Sequence, residues 1–354
     1  MTDFLDPSRI DVIAPNFKKR LSGVTATVVR LVPLQAQSMA IAAVAPALPD
    51  HVPQIRIRDL ITMPRRGPTG ARVWHARRNT EMLAGLALKH LLRKDLKLLF
   101  TSASQREHTG YSKWLISKMD HVIATSHKTA RYLEGAATVI MHGIDLTEFT
   151  PAPDRDALKA ELGLPQAPLV GCFGRIRAQK GTDVFVDAMI ELLKTRPKAH
   201  AIILGRATEK YVAFEKEQRD KISAAGLDER IRFLAEVPTH EVARYYQALD
   251  IFVAPQRWEG FGLTPIEAMA CAVPVVATTV GAFEELILQG KTGALIAPGE
   301  NAPMVEETAK LLDDAALRKR QSKAARKHME QTFAIEGEAG AIMTVYRQLL
   351  GHNG

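Results

Sequence analysis

Residues 168–193 read PLVGCFGRIRAQKGTDVFVDAMIELL, and this stretch decides the fold class. The apolar run 168–173 is predicted to be a strand, and residues 182–193 are predicted to be an amphipathic helix. Between them lies a basic loop, residues 174–181, that begins and ends with glycine. A strand, a basic glycine-bounded loop and a helix are typical of a phosphate site in an α/β domain, because the amides and dipole of a helix N-terminus favour an anion.

Two side chains of this loop suit a diphosphate. Arg175 can donate two parallel hydrogen bonds to phosphate oxygens, and Lys180 adds a compact positive charge. The loop therefore predicts a diphosphate group as ligand, and a solvated basic loop is the alternative interpretation.

A second stretch, WEGFGLTPIE at residues 258–267, is predicted to be a loop that leads into a helix. Pro265 suits the first helical turn, where its missing N–H costs nothing, and Thr264 is the predicted N-cap. Gly260 and Gly262 allow the backbone to approach a ligand closely. The free amides at this helix start predict a second contact with phosphate.

Two glutamates frame this stretch. Glu259 lies just outside the amide cluster, where its carboxylate can accept hydrogen bonds from hydroxyls of a group attached to the phosphate. Glu267 lies one helical turn further on, and a sugar nucleotide would satisfy the amides and both carboxylates. Alternatively, Thr264 and Glu267, three residues apart, form a capping box that only closes the helix end.

Strands and helices are predicted to alternate along the whole chain, which makes each half a doubly wound α/β unit. Pro151 and Pro153 mark the linker, since they continue neither a helix nor a strand. Ligands bind beyond the carboxyl ends of such strands, so the two predicted phosphate-binding segments, 174–181 and 258–267, are expected in one site. The predicted strands lie near residues 9–15, 40–45, 55–60, 97–102, 121–125 and 137–141 in the first half, and near 168–173, 199–204, 231–235, 250–254, 273–278 and 293–297 in the second.

The two motifs together resemble those of the family 4 retaining glycosyltransferases, which have the GT-B fold. Their Gly-Arg-x4-Lys-Gly loop and Glu-x7-Glu segment both occur here in that order. The resemblance implies two doubly wound Rossmann-like domains that face a central cleft, with the C-terminal helix crossing back to the first domain. Residues 1–165, with the C-terminal helix at about 336–354, are expected to bind the acceptor, and residues 166–335 the nucleotide sugar.

Two further stretches, IAPNFKKRLSGV at 13–24 and WHARRN at 74–79, indicate a narrower subgroup. They resemble the lipopolysaccharide core mannosyltransferases of alphaproteobacteria. This subgroup implies transfer of a hexose, mannose from GDP-mannose, to the Kdo-containing inner core of lipopolysaccharide. Two alternatives stay open: a family 4 enzyme with another UDP, ADP or GDP sugar and another glycan or lipid acceptor, and a noncatalytic sugar-nucleotide sensor.

The family resemblance assigns roles to residues at matching positions. Glu259 is expected to bind the donor-sugar hydroxyls and Glu267 the ribose. The cations and amides stabilise the departing diphosphate, which takes the proton of the acceptor hydroxyl in a front-face attack. The expected catalytic set is Arg175, Lys180, Glu259 and His108, and the expected donor-binding set is Gly23, Arg175, Lys180, Glu259, Gly260, Phe261, Gly262, Leu263, Thr264 and Glu267.

The first domain matches the family less closely. Gly23 matches one glycine of the family's usual pair, and Ser22 occupies the other position. His108 is the histidine nearest to the family position after a strand that ends near Ser102, and an ordinary surface histidine is the alternative. In the subgroup, three residues after another predicted strand are expected to meet an anionic acceptor: His75, Arg77 and Arg78.

The positive charge is concentrated in the first half of the chain. Residues 1–165 contain 23 Lys and Arg against 15 Asp and Glu, whereas residues 166–354 contain 24 of each kind. This excess predicts an anionic partner, such as a phosphorylated glycolipid or an acidic membrane face. Aromatic residues are only 6% and no recognition motif accompanies the basic residues, so nucleic acid is not expected. The basic clusters are Lys18-Lys19-Arg20, Arg65-Arg66, Arg77-Arg78 and Arg93-Lys94.

Other sites are disfavoured by the sequence. Neither half has Gly-x-Gly-x-x-Gly after its first strand or a P-loop, which argues against a dinucleotide dehydrogenase or an NTPase. The Asp-x-Asp at 154–156 resembles a metal-binding motif of other glycosyltransferases, but it precedes a helix, where aspartates serve as caps. The family resemblance implies no metal and no cofactor besides the nucleotide sugar as co-substrate. Cys172 and Cys271 are expected to be reduced, buried thiols.

Membrane insertion is not expected. No apolar run approaches the roughly 18 residues that span a bilayer. Asp3 and Asp6 precede any apolar stretch, which does not suit a signal peptide. The expected location is the cytoplasm, with peripheral contact to the cytoplasmic face of the inner membrane.

Overall fold

The computed structural model describes residues 4–18 and 23–351. The chain divides into two compact units, Met1–His142 with Ile335–Gly354, and Gly143–Ala334. Each unit is built on one parallel sheet whose strands are joined by helices, so the predicted architecture of two parallel-sheet α/β domains is confirmed.

The first unit contains a seven-stranded sheet. Its strands are β1 (Val12–Pro15), β2 (Ile41–Val44), β3 (Gln54–Ile55), β4 (Arg72–Ala76), β5 (Leu96–Ser102), β6 (His121–Ala124) and β7 (Thr138–Val139). They pair in parallel in the order β3-β2-β1-β4-β5-β6-β7. Its first helices are α1 (Gly23–Ala36), α2 (Asp59–Thr62), α3 (Asn79–His90), α4 (Gly110–Ile116) and α5 (His127–Ala130).

The second unit contains a six-stranded parallel sheet. Its strands are β8 (Leu169–Phe173), β9 (His200–Leu204), β10 (Ile231–Leu234), β11 (Ile251–Ala254), β12 (Val275–Thr278) and β13 (Gly293–Ile296), in the order β10-β9-β8-β11-β12-β13. Its helices are α6 (Arg155–Glu161), α7 (Thr182–Lys194), α8 (Val212–Ala224), α9 (Val242–Gln247), α10 (Thr264–Ala270), α11 (Phe283–Leu286), α12 (Asn301–Asp313) and α13 (Ala315–Thr332). The last helix, α14 (Ile335–Leu350), belongs to the first unit.

Apolar residues cover both faces of each sheet, as parallel sheets require. Successive residues of β1 point to opposite faces, so Val12 packs with residues of α1 and α14 whereas Ile13 packs with Trp74. In the second unit all five residues of β8 are buried. The apolar face of α7, including Phe185 and Met189, packs against this sheet. The central strands are therefore packed on both faces.

Two sequence expectations on secondary structure are wrong in detail. The strand predicted at 55–60 ends at Ile55, and residues 56–58 are exposed before α2 begins at Asp59. His75 does not follow a strand but lies inside β4, whose five residues are all buried. The predicted strand bounds include none at 72–76, but β4 pairs along its whole length with β5.

The boundary predicted at residue 165 also differs from the observed one, since residues 143–165 cluster with the second unit. Three contacts explain the difference. Lys159 and Arg155 in α6 both form ion pairs with Asp250, at 2.8 Å and 3.1 Å. Arg326 donates a hydrogen bond of 2.8 Å to the carbonyl oxygen of Phe149.

Both cysteines are free and buried, as predicted. Burial raises the pKa of the Cys172 thiol to about 12. Within residues 4–18 and 23–351, no helix is long and apolar enough to cross a bilayer.

Candidate functional site

The two predicted phosphate-binding segments meet at the carboxyl ends of two central strands of the second sheet. β8 and β11 are parallel neighbours, with Ile251 opposite Val170, so their carboxyl ends lie side by side. From β8 the chain proceeds to β9 on one side, and from β11 to β12 on the other, which makes this edge a topological switch point. Open α/β sheets bind ligands at such points.

Gly181 packs closely against the chain that leads from β11 into the second segment. Its backbone has φ +72°, and a Cβ built on it would lie 1.9 Å from the carbonyl oxygen of Pro255. Only glycine fits this close approach without a backbone shift. Gly181 also immediately precedes α7 and provides no side-chain cap, so the first amides of that helix stay available.

The contact joins the side chains that the sequence singled out. Lys180 Nζ donates a short hydrogen bond to Glu259 Oε2 within an ion pair. Both side chains are about one-fifth exposed, at 23% and 19%. The loop 174–181 and the segment 258–267 therefore contribute a cation and a carboxylate to the same place, as the motif analysis predicted.

Arg175 lies on the same loop and is exposed, while its neighbour Ile176 is buried in the core. Within the described part of the chain, no carboxylate lies at ion-pair distance from the Arg175 guanidinium. The side chain is thus available for an anion at the carboxyl end of β8.

Arg257 holds the two segments together, and sequence reasoning missed it. Its guanidinium forms two hydrogen bonds with Asp183, at 2.7 Å and 2.8 Å, and this pairing raises the pKa of Arg257. Its backbone N–H donates to the carbonyl oxygen of Gln179 at 3.0 Å. No local pattern signals this pair, because the two residues are 74 positions apart and meet only in the folded unit.

The turn before α10 has the geometry expected of a close backbone approach. Gly262 has φ +92°, and a Cβ there would lie 2.2 Å from the ring of Phe283. Gly260 N–H donates to Glu259 Oε1 at 3.0 Å. Phe261, predicted to bind the donor, is buried at 5% exposure, and its contact with the donor remains a prediction.

The predicted N-cap and capping box are not formed. Helix α10 begins at Thr264, its N-cap residue is Leu263 with helical angles, and no side-chain cap hydrogen bond is made. Because Leu263 is already helical, the Thr264 hydroxyl cannot reach the amides of the first turn. The Thr264 Oγ1 atom is buried and has no hydrogen-bond partner in the described residues. A buried polar atom of this kind is a position that a bound ligand can satisfy.

Glu267 makes a tertiary contact in place of the capping box. Its Oε2 accepts a hydrogen bond of 2.8 Å from the hydroxyl of Tyr246. Burial and the nearby Glu267 charge raise the pKa of Tyr246, so the phenol stays protonated and keeps donating. This contact holds one oxygen of Glu267 against Tyr246 of α9.

In the first unit, His75 is a core residue and cannot contact an acceptor directly. It is fully buried, with Nδ1 at 2.7 Å from the Tyr346 hydroxyl and Nε2 at 2.6 Å from Thr101 Oγ1. Burial lowers the pKa of His75 well below 6.5, so the ring is neutral at pH 7. The expected acceptor role fails because the side chain points into the layer between the sheet and α14.

The arginines after β4 are held by protein partners. Arg77 Nη1 donates to the carbonyl oxygen of His75 at 3.2 Å. Arg78 Nη1 donates to Asn16 Oδ1 and to the buried Glu81 Oε1, both at 2.7 Å. Arg78 therefore ties the carboxyl ends of β4 and β1 together, and an acceptor contact for either arginine remains a prediction.

His108 is half-buried in the loop between β5 and α4. Its Nε2 atom is buried and has no hydrogen-bond partner among the described residues. The ring borders a cavity of about 550 Å³ that is also lined by Lys113, His121 and Tyr132. Burial lowers the pKa of His108, which favours a neutral ring that can accept a hydrogen bond. Its catalytic role remains a prediction.

Two further predictions concern the first helix and the Asp-x-Asp sequence. Gly23 is the first described residue of α1, whereas Ser22, Lys19 and Arg20 lie outside the described residues. Asp154 caps α6 by accepting hydrogen bonds of 3.0 Å from the amides of Asp156 and Ala157. The structural interpretation of this aspartate is therefore confirmed.

Comparison with known proteins identifies the family of the chain. Residues 154–328 match the family model of glycosyl transferases group 1. The chain is 52% identical, over 99% of its length and 100% of the relative, to the lipopolysaccharide core biosynthesis mannosyltransferase LpsB of Rhizobium meliloti (strain 1021). It is 48% identical, over 97% of its length and 98% of the relative, to LpcC of Rhizobium leguminosarum bv. viciae, which bears the same description.

A solved structure shares the fold. The crystal structure of HepE from Anabaena in complex with UDP superposes with a TM-score of 0.84 at 19% identity, covering 96% of this chain and 100% of that one. The relatives of similar sequence confirm the motif resemblance and favour an enzyme over the noncatalytic sensor. The chain belongs to the family of group 1 glycosyltransferases.

Proposed function

We propose that this glycosyltransferase moves mannose from GDP-mannose to the Kdo-containing inner core of lipopolysaccharide, with retention of the anomeric configuration. Two relatives of nearly equal length, 52% and 48% identical, are described as lipopolysaccharide core mannosyltransferases, which supports the sugar and the acceptor class. The guanine base and the Kdo residue rest on the subgroup resemblance.

The observation that carries the proposed mechanism is the meeting of Lys180 with Glu259. In the free protein each side chain is the counterion of the other. When the donor binds, its diphosphate replaces Glu259 as the partner of Lys180. The hydroxyls of its sugar replace Lys180 as the partners of Glu259. Arg175 and the amides at the starts of α7 and α10 complete the anion site.

Breaking the sugar–phosphate bond transfers its electron pair to the diphosphate, where negative charge develops. Preorganised cations and amides aimed at that charge lower the barrier. The acceptor hydroxyl attacks from the same face, and its proton passes to the departing phosphate oxygen, so no protein nucleophile is required. In this mechanism the hydroxyl of Thr264, buried without a partner among the described residues, donates to an oxygen of the donor.

We further propose that the enzyme acts at the cytoplasmic face of the inner membrane and needs no metal ion. The first half of the chain carries the whole excess of positive charge, which suits an anionic, lipid-linked acceptor. Since Arg175, Lys180 and the amides neutralise the diphosphate in this mechanism, we expect EDTA to leave turnover unchanged.

The test is a transfer assay with purified protein, a Kdo-containing lipid A acceptor and a panel of GDP, UDP and ADP sugars. We expect mass spectrometry to detect one added hexose only with GDP-mannose, and NMR to show the same anomeric configuration in donor and product. Transfer from a uridine or adenosine sugar alone would refute the mannosyl assignment. An inverted product would refute the front-face mechanism.

A further inference from the structure

The basic loop 174–181 contains a second arginine, Arg177, two residues beyond Arg175. Arg177 is half-buried, and its Nε atom is buried without a hydrogen-bond partner among the described residues. Across residues 4–18 and 23–351, no carboxylate lies at ion-pair distance from its guanidinium. A cation that has lost part of its hydration and has no counterion in the protein is costly, unless a ligand supplies the negative charge.

The backbone directs Arg177 away from the core, as it does Arg175. Ile176, which lies between them, is buried in the core of the second unit. Arg177 has extended backbone, with φ −172° and ψ 156°. Side chains alternate in direction along an extended chain, so the two arginines leave the loop on the side opposite to Ile176. Both guanidinium groups are therefore available to one anion at the carboxyl end of β8.

Backbone hydrogen bonds hold this part of the loop in place. Ile176 N–H donates to the carbonyl oxygen of Arg206, two residues after β9, at 3.2 Å. The carbonyl oxygen of Arg177 accepts a hydrogen bond of 2.9 Å from Lys180 N–H. Arg177 and Lys180 thus belong to one short turn that is tied to the neighbouring strand. Cations held in this way need little reorganisation when charge develops beside them.

The leaving group carries more charge than the bound substrate. In a nucleotide sugar, each phosphate of the diphosphate carries one negative charge. When the bond from the anomeric carbon to the diphosphate breaks, its electron pair stays on the phosphate oxygen and adds a further negative charge. The acceptor oxygen bonds to the anomeric carbon, and its proton then passes to the departing phosphate oxygen. Until that proton arrives, Arg175 and Lys180 leave the added charge unbalanced.

We propose that Arg177 is a catalytic residue that contacts the departing diphosphate and balances the charge that develops as the sugar leaves. This inference rests on the proposed use of a nucleotide-sugar donor, and it holds for any base, sugar or acceptor. Arg175 and Lys180 already balance the bound substrate, so the further cation is needed only once the bond breaks. An interaction that is stronger in the transition state than in the ground state raises kcat without tightening substrate binding.

The experiment compares Arg177→Ala with the wild type in single-turnover transfer and in equilibrium binding of GDP-mannose and of GDP. We expect the single-turnover rate to fall about 10²-fold, as is typical when one stabilising donor is lost. The Kd of GDP-mannose should rise less than about threefold, because substrate binding does not need this cation. The Kd of GDP, which carries the added charge, should rise at least about tenfold. Arg177→Lys should recover part of the rate, and free guanidinium should partly rescue Arg177→Ala.

The matched control is Arg232→Ala in strand β10. Arg232 also has a buried Nε atom without a partner in the described part of the chain, but its Nη2 atom donates to the carbonyl oxygen of Gly163 at 3.1 Å. We expect the rate and both Kd values of this variant to match those of the wild type. Circular dichroism establishes that each variant is folded. If Arg177→Ala did not fold, Arg177→Met, which keeps the aliphatic stem, would take its place.

Four outcomes bear on the proposal. An unchanged rate and unchanged GDP binding in Arg177→Ala would overturn it, as would equal losses in the control. Equal weakening of GDP and GDP-mannose would also overturn it, since Arg177 would then serve substrate binding alone. If the wild type used a uridine or adenosine sugar, only the mannosyl assignment would fail, and the comparison would be made with that sugar and its nucleoside diphosphate. A wild type that binds no nucleotide sugar would refute both.

Discussion

Replacing Gly181 by alanine tests whether the two motif segments depend on their close contact. The structure puts a Cβ at this position 1.9 Å from the carbonyl oxygen of Pro255, whereas real contacts of this kind are not shorter than 3.0 Å. The segments must therefore separate by at least about 1.1 Å, the difference between those two distances. A misplacement of about 1 Å near reacting groups can cost about 10²-fold in rate. We expect Gly181→Ala to lower kcat by about that factor, because Lys180 moves away from Glu259.

Gly163→Ala is the matched control in the same unit. Gly163 also has positive φ, +61° against +72° at Gly181, but a Cβ added to it would have no atom within 4 Å. Both variants lose about 1–2 kcal/mol to the left-handed backbone, and both gain the same reduction in unfolded-state entropy. Only Gly181→Ala adds overpacking, typically about 1–3 kcal/mol.

Differential scanning calorimetry and a nucleotide-release assay measure the two effects. After the gain in unfolded-state entropy of about 0.4–1 kcal/mol, we expect Gly163→Ala to lose at most about 1.6 kcal/mol of unfolding free energy with turnover unchanged. Gly181→Ala should lose about 1–5 kcal/mol together with most of its activity. Equal stability and equal turnover of the two variants would refute the claim that the contact organises the site.

Three further predictions concern charge, an unpaired hydroxyl and pH. Lys180→Ala should lower kcat about 10²–10³-fold, whereas Lys198→Ala, an exposed lysine elsewhere in the second unit, should not, and equal kcat values would contradict the proposed role. Thr264→Val removes a buried oxygen that has no partner among the described residues, so calorimetry should show unchanged or higher stability. The KM for the donor should rise, and an unchanged KM would show that the hydroxyl does not contact the donor. Burial holds the pKa of His75 in the folded protein well below 6.5, so below pH 6.5 the unfolded chain binds a proton that the folded protein does not. The free energy of unfolding should therefore fall by up to about 1.4 kcal/mol per pH unit as the pH drops below 6.5. His75→Gln should lack that part of the slope in a melting series, and an identical slope would show that another group titrates.

The location of the donor site could be predicted from the sequence, because it depends on local patterns and one topological rule. Apolar runs marked β8 and β11, and the carboxyl ends of parallel strands share an edge. Glycines and helix-start signals then marked the two segments that follow these strands. Lys180 and Glu259 form their ion pair at the carboxyl ends of these two strands.

The contacts that orient the site could not be predicted, because they form only between distant elements. Arg257 pairs with Asp183 across two loops, and no spacing rule connects them. The missing cap at Thr264 depends on the helical angles of Leu263, a one-residue shift that residue type does not determine. The subgroup resemblance implied that His75 meets an anionic acceptor, but its position inside β4, whose residues are all buried, makes it part of the core.

The division of the first unit between the two ends of the chain affects its synthesis. Residues 143–334 emerge from the ribosome as one continuous piece, which at roughly 5–20 residues per second takes roughly 10–40 s. During that interval Val28 and Leu31 of α1 lack the side chains of α14, including Ile342 and Tyr346, that cover them in the finished protein. The second unit can thus complete its folding first. Until then, the apolar side of α1 in the first unit stays exposed to solvent. Nascent chains interrupted before residue 335 should consequently depend on chaperones and aggregate through α1.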